Sequence, residues 1–256
     1  MKTKIVAVIQ ARMGSSRFPG KSMEKIGHWP LVELVLKRVQ RSRVDVVVLA
    51  TSTSPLDDVL AEYVDSLGFP VFRGSEEDVL SRFHQAAEKY DPETVVRITG
   101  DCPLISPTLI DYAIDVFEEH NVDYLSLAIG DEKPAAYPRG FDVEVARFAS
   151  LTEAVTNATK EYEREHVMPY LYTHPDSYSV HYIEPTPEYS RPSYRLCVDS
   201  KLDFDLILKL HDFFGDRLID ADSLDIIHYL DSNPEVAAIN ASVKQKHFKD
   251  TASKTG

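Results

Sequence analysis

Short apolar runs alternate with amphipathic segments through the first half of the chain. Runs rich in β-branched residues predict strands, and segments whose apolar residues recur every three or four positions predict helices. The predicted strands are residues 5–9, 44–50, 70–72, 94–98 and 122–127. The predicted helices are residues 31–39, 55–67, 78–89 and 107–119. Because strands that alternate with helices usually pair in parallel, the pattern predicts an α/β fold with a Rossmann-like, mainly parallel sheet.

This alternation breaks near residue 128. Residues 128–140 are rich in glycine, proline and charge, which is typical of a loop. We expect residues from about 128 to 193 to form an α+β insertion. Its predicted elements are strands at residues 141–145 and 178–183 and one or two helices within residues 151–172.

After the insertion the chain is expected to return to the main sheet. A strand is predicted at residues 194–199 and a helix at residues 202–213. The pattern therefore predicts a single domain over residues 1–240. The remaining segment, residues 241–256, is polar and rich in lysine and is predicted to be disordered.

The composition limits the kinds of partner. The 256 residues carry a formal net charge of −13, and the pI is about 5.1. Such a surface repels nucleic-acid backbones and anionic membranes, so neither is expected as a partner. The two cysteines, Cys102 and Cys197, do not indicate a disulfide framework, and no apolar run reaches the length of a membrane span. We expect a protein of the reducing cytoplasm.

A basic turn follows the first predicted strand and therefore lies at the carboxyl edge of the sheet, where α/β folds bind ligands. Small residues leave its backbone N–H groups accessible to an anion: Gly14, Ser15 and Ser16. Three cations accompany them: Arg12, Arg17 and Lys21. Solvated charges on a surface loop are the alternative, but the position after the first strand favours phosphate binding.

Two well-known phosphate loops do not fit this turn. Gly14 and Gly20 enclose one residue too many for a P-loop, although a lysine and a serine follow them. The glycine pattern of dinucleotide-binding proteins is absent as well. The turn is therefore a phosphate loop of another type.

Two aspartates follow predicted strands and can meet at the same edge. Asp101 follows the strand at residues 94–98, and Asp199 ends the predicted strand at residues 194–199. Magnesium is bound by one or two carboxylates together with phosphate oxygens of the substrate. Each aspartate alone is better explained as a helix N-cap. Beside a phosphate loop, the pair indicates a metal site.

The basic turn also matches the motif A-R-x-x-S-x-R-x-P-x-K, through Ala11, Arg12, Ser15, Arg17, Pro19 and Lys21. This motif resembles the signature of the cytidylyltransferases that activate 3-deoxy-D-manno-octulosonic acid and sialic acids. Gly100, Asp101, Pro103 and Leu104 resemble the metal motif of that family, and Asp199 matches its second metal aspartate. Gln10 stands where the sugar-acid enzymes usually carry proline, which is similar to the spore coat polysaccharide biosynthesis protein F branch.

The resemblance implies a sheet of the nucleotide-diphospho-sugar transferase (GT-A) type and a set of site residues. The implied catalytic residues are Arg12, Lys21 and Asp101, with Mg²⁺ on Asp101 and Asp199. The implied nucleotide-binding residues are Ala11, Arg12, Gly14, Ser15, Ser16, Arg17, Lys21, Thr51, Ser52, Arg73, Ser75, Arg82 and Gly100. The implied acceptor-binding residues are Arg139, Asp142, Glu163 and His166. The insertion is expected to help pair two subunits as a homodimer.

The function implied is transfer of CMP from CTP to a sugar or sugar acid, with release of pyrophosphate. Several alternatives remain open: another nucleoside triphosphate, a non-sugar acceptor, a GT-A glycosyltransferase and a non-catalytic nucleotide-binding module. Some site residues also have structural interpretations. Ser75 and Asp78 form a helix-capping signal, and Glu163 can belong to a solvated helix face with local ion pairs.

Overall fold

A seven-stranded sheet covered by helices on both faces forms the centre of the molecule. The computed structural model describes residues 4–127 and 136–244. The strands are β1 (Ile5–Gln10), β2 (Lys25–Ile26), β3 (Trp29–Pro30), β4 (Val46–Ser52), β5 (Val71–Gly74), β6 (Thr94–Thr99), β7 (Tyr124–Ser126), β8 (Glu144–Arg147) and β9 (Val180–Tyr182). The strand order is β5-β4-β1-β6-β8-β7-β9, and β2 and β3 form a separate hairpin.

All neighbours in the main sheet are parallel except β8, which runs antiparallel to β6 and β7. The mainly parallel α/β fold predicted from the sequence is therefore confirmed. The helices are α1 (Leu31–Gln40), α2 (Asp58–Ser66), α3 (Val79–Glu88), α4 (Pro107–His120), α5 (Phe148–Asn157), α6 (Glu161–His166), α7 (Pro169–Tyr172), α8 (Lys201–Phe214), α9 (Ser223–Ser232) and α10 (Pro234–Ala237).

The central strands are apolar on both faces because helices cover both. In β1, Val6 and Val8 join the apolar cluster that includes α3 and α5, whereas Ala7 and Ile9 join the cluster that includes α1, α4 and α8. All four side chains are fully buried. Successive residues of a strand point to opposite faces, so a strand buried on both sides reads as a continuous apolar run.

The segment predicted as an insertion contributes directly to the main sheet. It supplies β8, which lies between β6 and β7, and β9, which pairs with β7 at the edge. The strand predicted at residues 141–145 is displaced to Glu144–Arg147, and the predicted helical stretch divides into α5, α6 and α7. Residues 128–135 of the predicted loop and residues 245–256 of the predicted disordered tail lie outside the described residues.

The prediction of a strand at residues 194–199 is wrong. This segment has one isolated bridge, between Arg139 and Arg195, because β8 occupies the place beside β6. Its amides bond to loops instead. The N–H of Leu196 donates to the carbonyl of Arg139 over 2.6 Å, and that of Val198 donates to the carbonyl of Asp101 over 2.8 Å. The second bond brings the segment against the end of β6, so Asp199 still reaches the sheet edge.

The helices of residues 4–127 and 136–244 are too short or too polar to span a lipid bilayer.

Candidate active site

The basic turn after β1 is tied to the sheet by Asp57. This buried residue lies just before α2, and its Oδ1 accepts a hydrogen bond of 2.7 Å from the N–H of Met13. Its Oδ2 accepts from the N–H and the hydroxyl of Ser52, over 3.1 and 2.5 Å. One carboxylate therefore joins the turn to the end of β4. Asp57 was not predictable from the sequence because its partner Met13 lies 44 positions away along the chain.

Lys21 lies between the two aspartates predicted to bind metal. Its Nζ is 2.9 Å from Asp101 Oδ2 and 3.3 Å from Asp199 Oδ1, and it donates to the carbonyl of Val198 over 2.6 Å. Burial lowers the pKa of Lys21, but the two carboxylates outweigh it and the net pKa is raised. Burial raises the pKa of Asp101, but Lys21 outweighs it and the net pKa is lowered. Lys21 and Asp101 are therefore charged together.

Gly100 allows the turn to approach the end of β6. Its N–H donates to the carbonyl of Gln10 over 2.7 Å. A Cβ at position 100 would lie 2.6 Å from the Cβ of Ala11 and 2.7 Å from the carbonyl oxygen of Gln10. Atoms cannot approach that closely without displacing backbone, so only glycine fits. This contact brings Asp101 next to Lys21.

Asp199 is surrounded by cations. Its Oδ2 is 2.8 Å from Arg17 and 2.5 Å from Arg195, while its Oδ1 faces Lys21. Arg12 lies elsewhere on the turn, where it is 42% exposed and forms an ion pair of 3.7 Å with Glu76. The structure therefore brings Arg17 and Lys21 to the aspartates, with Arg12 at the more exposed part of the turn. Gly14 and Ser16 are exposed on the same turn, and Ser15 is half-buried.

Arg73 packs against the backbone after β4. Its Nε donates to the carbonyl of Ser52 and its Nη2 to that of Ser54, both over 2.9 Å. An ion pair of 2.7 Å with Asp58 completes its contacts. Thus Arg73 and Ser52, two of the predicted nucleotide-binding residues, help to shape the loop beside the basic turn.

Two polar atoms of the predicted nucleotide-binding set are buried without a hydrogen-bond partner, the Nε of Arg82 and the Oγ1 of Thr51. Burial lowers the pKa of Arg82, whose Nη1 donates to the carbonyl of Ser75 over 2.5 Å. The hydroxyl of Ser75 accepts from the N–H of Asp78, the N-cap of α3. The helix-capping interpretation of these residues is therefore confirmed, while contact with a nucleotide stays a prediction.

The predicted acceptor residues lie on two parts of the chain. Arg139 is 3.8 Å from Asp142, which also accepts from the N–H of Gly140 over 3.0 Å. Burial raises the pKa of Asp142, and Arg139 only partly opposes this effect. Glu163 is buried, accepts from the N–H of Lys160 over 3.1 Å and caps α6.

Glu163 also forms the expected local ion pair with Lys160, over 3.2 Å, but its side chain is buried, so the interpretation as part of a solvated helix face is wrong. His166 is the last residue of α6. The role of Glu163 and His166 in acceptor binding therefore stays a prediction.

A buried polar row crosses four strands next to the site. The Nε of Arg97 donates to Gln10 Oε1 over 2.5 Å, and its guanidinium pairs with Glu144. Glu144 also accepts from the hydroxyl of Tyr124 over 2.6 Å. Burial lowers the pKa of Arg97, but Glu144 outweighs it and the net pKa is raised. This row was not predicted from the sequence, although an arginine inside the apolar run at residues 94–98 was a usable signal.

The donor set suits a hard divalent cation. Among the residues that the structure describes, no group of three or more His, Cys, Asp or Glu side chains could hold a metal alone. Asp101 and Asp199 offer two carboxylates, the number Mg²⁺ typically takes when phosphate and water supply the rest. Burial raises the pKa of Cys102 and Cys197 well above the ordinary value, so both stay thiols and are poor ligands.

Comparison with known proteins identifies the class to which this fold and site belong. A sequence model of the cytidylyltransferase family matches residues 6–233. An uncharacterized protein of Methanocaldococcus jannaschii is 41% identical over 249 residues, covering 96% of this chain and 98% of the relative. The spore coat polysaccharide biosynthesis protein SpsF of Bacillus subtilis is 35% identical over 239 residues, covering 91% of this chain and 96% of the relative.

A solved structure agrees with these relatives. The cytidylyltransferase of Leptospira borgpetersenii superposes with a TM-score of 0.85 at 28% identity, covering 96% of this chain and 100% of that one. The chain therefore belongs to the cytidylyltransferase family. It is a nucleotidyltransferase with the α/β fold of that class, and the resemblance seen in the basic turn is confirmed.

Proposed function

We propose that this protein transfers CMP from CTP to a sugar or sugar acid and releases pyrophosphate, in the synthesis of a polysaccharide or glycoconjugate. The observation that carries the proposal is the meeting of Lys21, Asp101 and Asp199 at the end of β6. Family membership supports CTP as the donor, and the similarity to the Bacillus subtilis spore-coat protein supports a saccharide acceptor.

The chain itself supplies charge and position for this reaction. An acceptor oxygen attacks the α-phosphorus, the bond to the bridging oxygen breaks, and pyrophosphate leaves with that electron pair. Arg17 and Lys21 lie where they can bind phosphate oxygens, and Arg12 is exposed on the same turn. Positioning and electrostatic stabilisation suffice for phosphoryl chemistry of this kind, so no covalent nucleophile is required.

Asp101 and Asp199 would hold Mg²⁺. When bound, the metal supplies Lewis-acid polarisation of the phosphate and neutralises developing negative charge. The buried Nε of Arg82 and Oγ1 of Thr51 are the polar atoms that a nucleotide could satisfy. A buried donor without a partner costs about 1–3 kcal/mol, which a ligand acceptor would recover.

The acceptor is proposed to bind near Arg139 and Asp142, with Glu163 and His166 as further predicted contacts. Asp142 contributes to the electrostatic environment of Cys102, the neighbour of Asp101. Arg139 and Asp142 therefore lie close to the proposed metal ligands.

The test is a screen for pyrophosphate release with each of the four common nucleoside triphosphates, Mg²⁺ and a panel of sugars and sugar acids. Pyrophosphate release with CTP and one acceptor is the expected result. Release of a nucleoside diphosphate from a nucleotide sugar would instead identify a glycosyltransferase. Tight calorimetric binding of CTP without product for any acceptor would identify a binding module. A preference for another triphosphate would show that the donor nucleotide is not CTP.

A further inference from the structure

Asp199 is held by residues that the proposed chemistry does not use. Arg195, whose side chain is only 8% exposed, donates from Nη2 to Asp199 Oδ2 over 2.5 Å. Its Nε donates to Asp203 Oδ1 over 2.8 Å. One guanidinium therefore joins the predicted metal ligand to a second carboxylate, and that carboxylate is fully buried. The planar fork of arginine suits this bridging position, which a point-like ammonium could not fill.

Asp203 is the centre of this cluster. Its Oδ2 accepts from the N–H of Asp199 over 3.0 Å, and from the N–H and hydroxyl of Ser200 over 2.8 and 2.9 Å. Its Oδ1 accepts from Arg195 and from the side-chain amide of Asn240. A buried carboxylate with this many donors has one stable orientation. Asp203 therefore holds Asp199 in two ways: it accepts from the main-chain N–H of Asp199, and it shares Arg195 with the carboxylate of Asp199.

Asn240 completes the cluster from a distant part of the chain. It is buried after the end of α10, and its Nδ2 donates to the carbonyl of Arg195 over 2.8 Å and to Asp203 Oδ1 over 2.9 Å. It also lies beyond residues 6–233, the part that the family model matches. Removal of this amide would leave two buried acceptors with fewer donors and would loosen Arg195.

We propose that Arg195, Asp203 and Asn240 are positioning residues that orient Asp199 toward the divalent cation; this inference rests on the proposed function. Arg195 and Arg17 both contact Oδ2 of Asp199, so Oδ1, the oxygen that faces Lys21, would be the one available to the metal. Because Arg195 is shared with Asp203, it neutralises Asp199 only in part. Partners of metal ligands typically change metal affinity by about 10–100-fold.

The test compares Asn240→Ala with Asn233→Ala. Asn233 is a matched control, because its Nδ2 also donates to a backbone carbonyl, but that carbonyl belongs to Tyr229, outside the cluster of Arg195 and Asp203. Binding of Mn²⁺ is measured by electron paramagnetic resonance with the protein saturated by α,β-methylene CTP. We expect Asn240→Ala to weaken Mn²⁺ binding about tenfold and lower kcat similarly, with KM for CTP changed less than about twofold.

The control should lower the melting temperature without changing Mn²⁺ binding. Equal Mn²⁺ affinity in the two variants would show that the cluster is only structural and would overturn the inference. If Asn240→Ala does not fold, Arg195→Lys gives the same decision, since it keeps the charge but cannot bridge two carboxylates. Wild-type Mn²⁺ affinity in that variant would also overturn the inference. No Mn²⁺ binding by the wild-type nucleotide complex would overturn both the inference and the proposed function.

Discussion

Lys21 is the residue on which the proposed chemistry depends most. It contacts both predicted metal ligands and is itself on the turn predicted to bind phosphate. We predict that Lys21→Ala lowers the rate of pyrophosphate release by about 10²–10³-fold, because a charge aimed at the reacting phosphates is lost. Lys25→Ala is the control, since it removes an exposed lysine four positions away. Comparable losses in the two variants would show that general surface charge, and not the Lys21 contacts, accounts for the effect.

The contacts of Lys21 lead to a second prediction, on how the free energy of unfolding depends on pH. Asp101 has a pKa below its ordinary value of 3.8 and Lys21 a pKa above its ordinary value of 10.5. A carboxylate with a depressed pKa stabilises the fold above its unfolded pKa, and this contribution is lost as the pH falls through the folded value. Because burial alone raises the pKa of Asp101, the difference in unfolding free energy between wild type and Lys21→Met should be largest near neutral pH.

Below pH 3.8 that difference should shrink as Asp101 takes up a proton. Urea unfolding across this range measures it. A difference that stays constant down to the acid unfolding of the protein would contradict the assigned ion pair.

Gly100 makes a third prediction. Gly100→Ala should lower stability by about 1–3 kcal/mol, because the new methyl group overlaps Ala11 and the backbone of Gln10. It should also lower activity, since the turn would move away from Asp101. Gly14→Ala is the control for stability, because a Cβ there meets only Glu76, at an ordinary 3.7 Å. Equal denaturation midpoints for the two variants would be inconsistent with the close approach described at Gly100.

At the scale of elements, the basic turn depends on a carboxylate outside it. Asp57→Ala should leave the N–H of Met13 and both donors of Ser52 without their partner, at a cost of about 1–3 kcal/mol. It should also raise KM for CTP, because the turn would lose its attachment to β4. Asp58→Ala removes only a half-exposed ion pair with Arg73 and should cost less than about 1 kcal/mol. Calorimetry and steady-state kinetics on both variants check this. A larger loss of stability in Asp58→Ala than in Asp57→Ala would contradict the role of Asp57 in attaching the turn to β4.

The central elements are predictable from the sequence because each one shows a regular apolar pattern along its own residues. β1, β4 and β6 are largely apolar on both faces, and the helices between them show regular apolar spacing, so the type and the approximate position of each element follow from the sequence. β8 is harder, because its place between β6 and β7 depends on which strands it meets and not on its own residues. The segment at residues 194–199 has the composition of a strand but finds no free sheet neighbour.

Some residues of the site were predictable from the sequence and others were not. Lys21, Asp101 and Asp199 were predictable, since each follows an apolar run and belongs to a recognisable motif, and the structure brings them together. Asp57 and Asn240 were not, because each acts through a partner far away in sequence and has no motif of its own. Hydrogen bonds between distant loops leave no periodic trace along a chain.

At the scale of the whole molecule, the resemblance implies a homodimer. We predict that light scattering coupled to size exclusion gives a mass close to twice 28.9 kDa, independent of protein concentration in the micromolar range. A homodimer would be consistent with the expected role of the insertion in pairing subunits. A mass of one chain under the same conditions would show that this family property does not extend to the protein.

Because Asp101 and Asp199 are the proposed metal ligands, the ammonium group held between them would compete with a divalent ion for the same carboxylates. While Lys21 pairs with Asp101 and Asp199, a divalent ion in solution meets carboxylates whose negative charge is already partly compensated. On the proposed function, a triphosphate would offer Lys21 a competing anion and would bring magnesium with it, so nucleotide and metal would arrive as one complex. Lys21→Met should accordingly bind Mn²⁺ more tightly than wild type in the absence of nucleotide. The resting enzyme would thus be protected by its own lysine from stray cations.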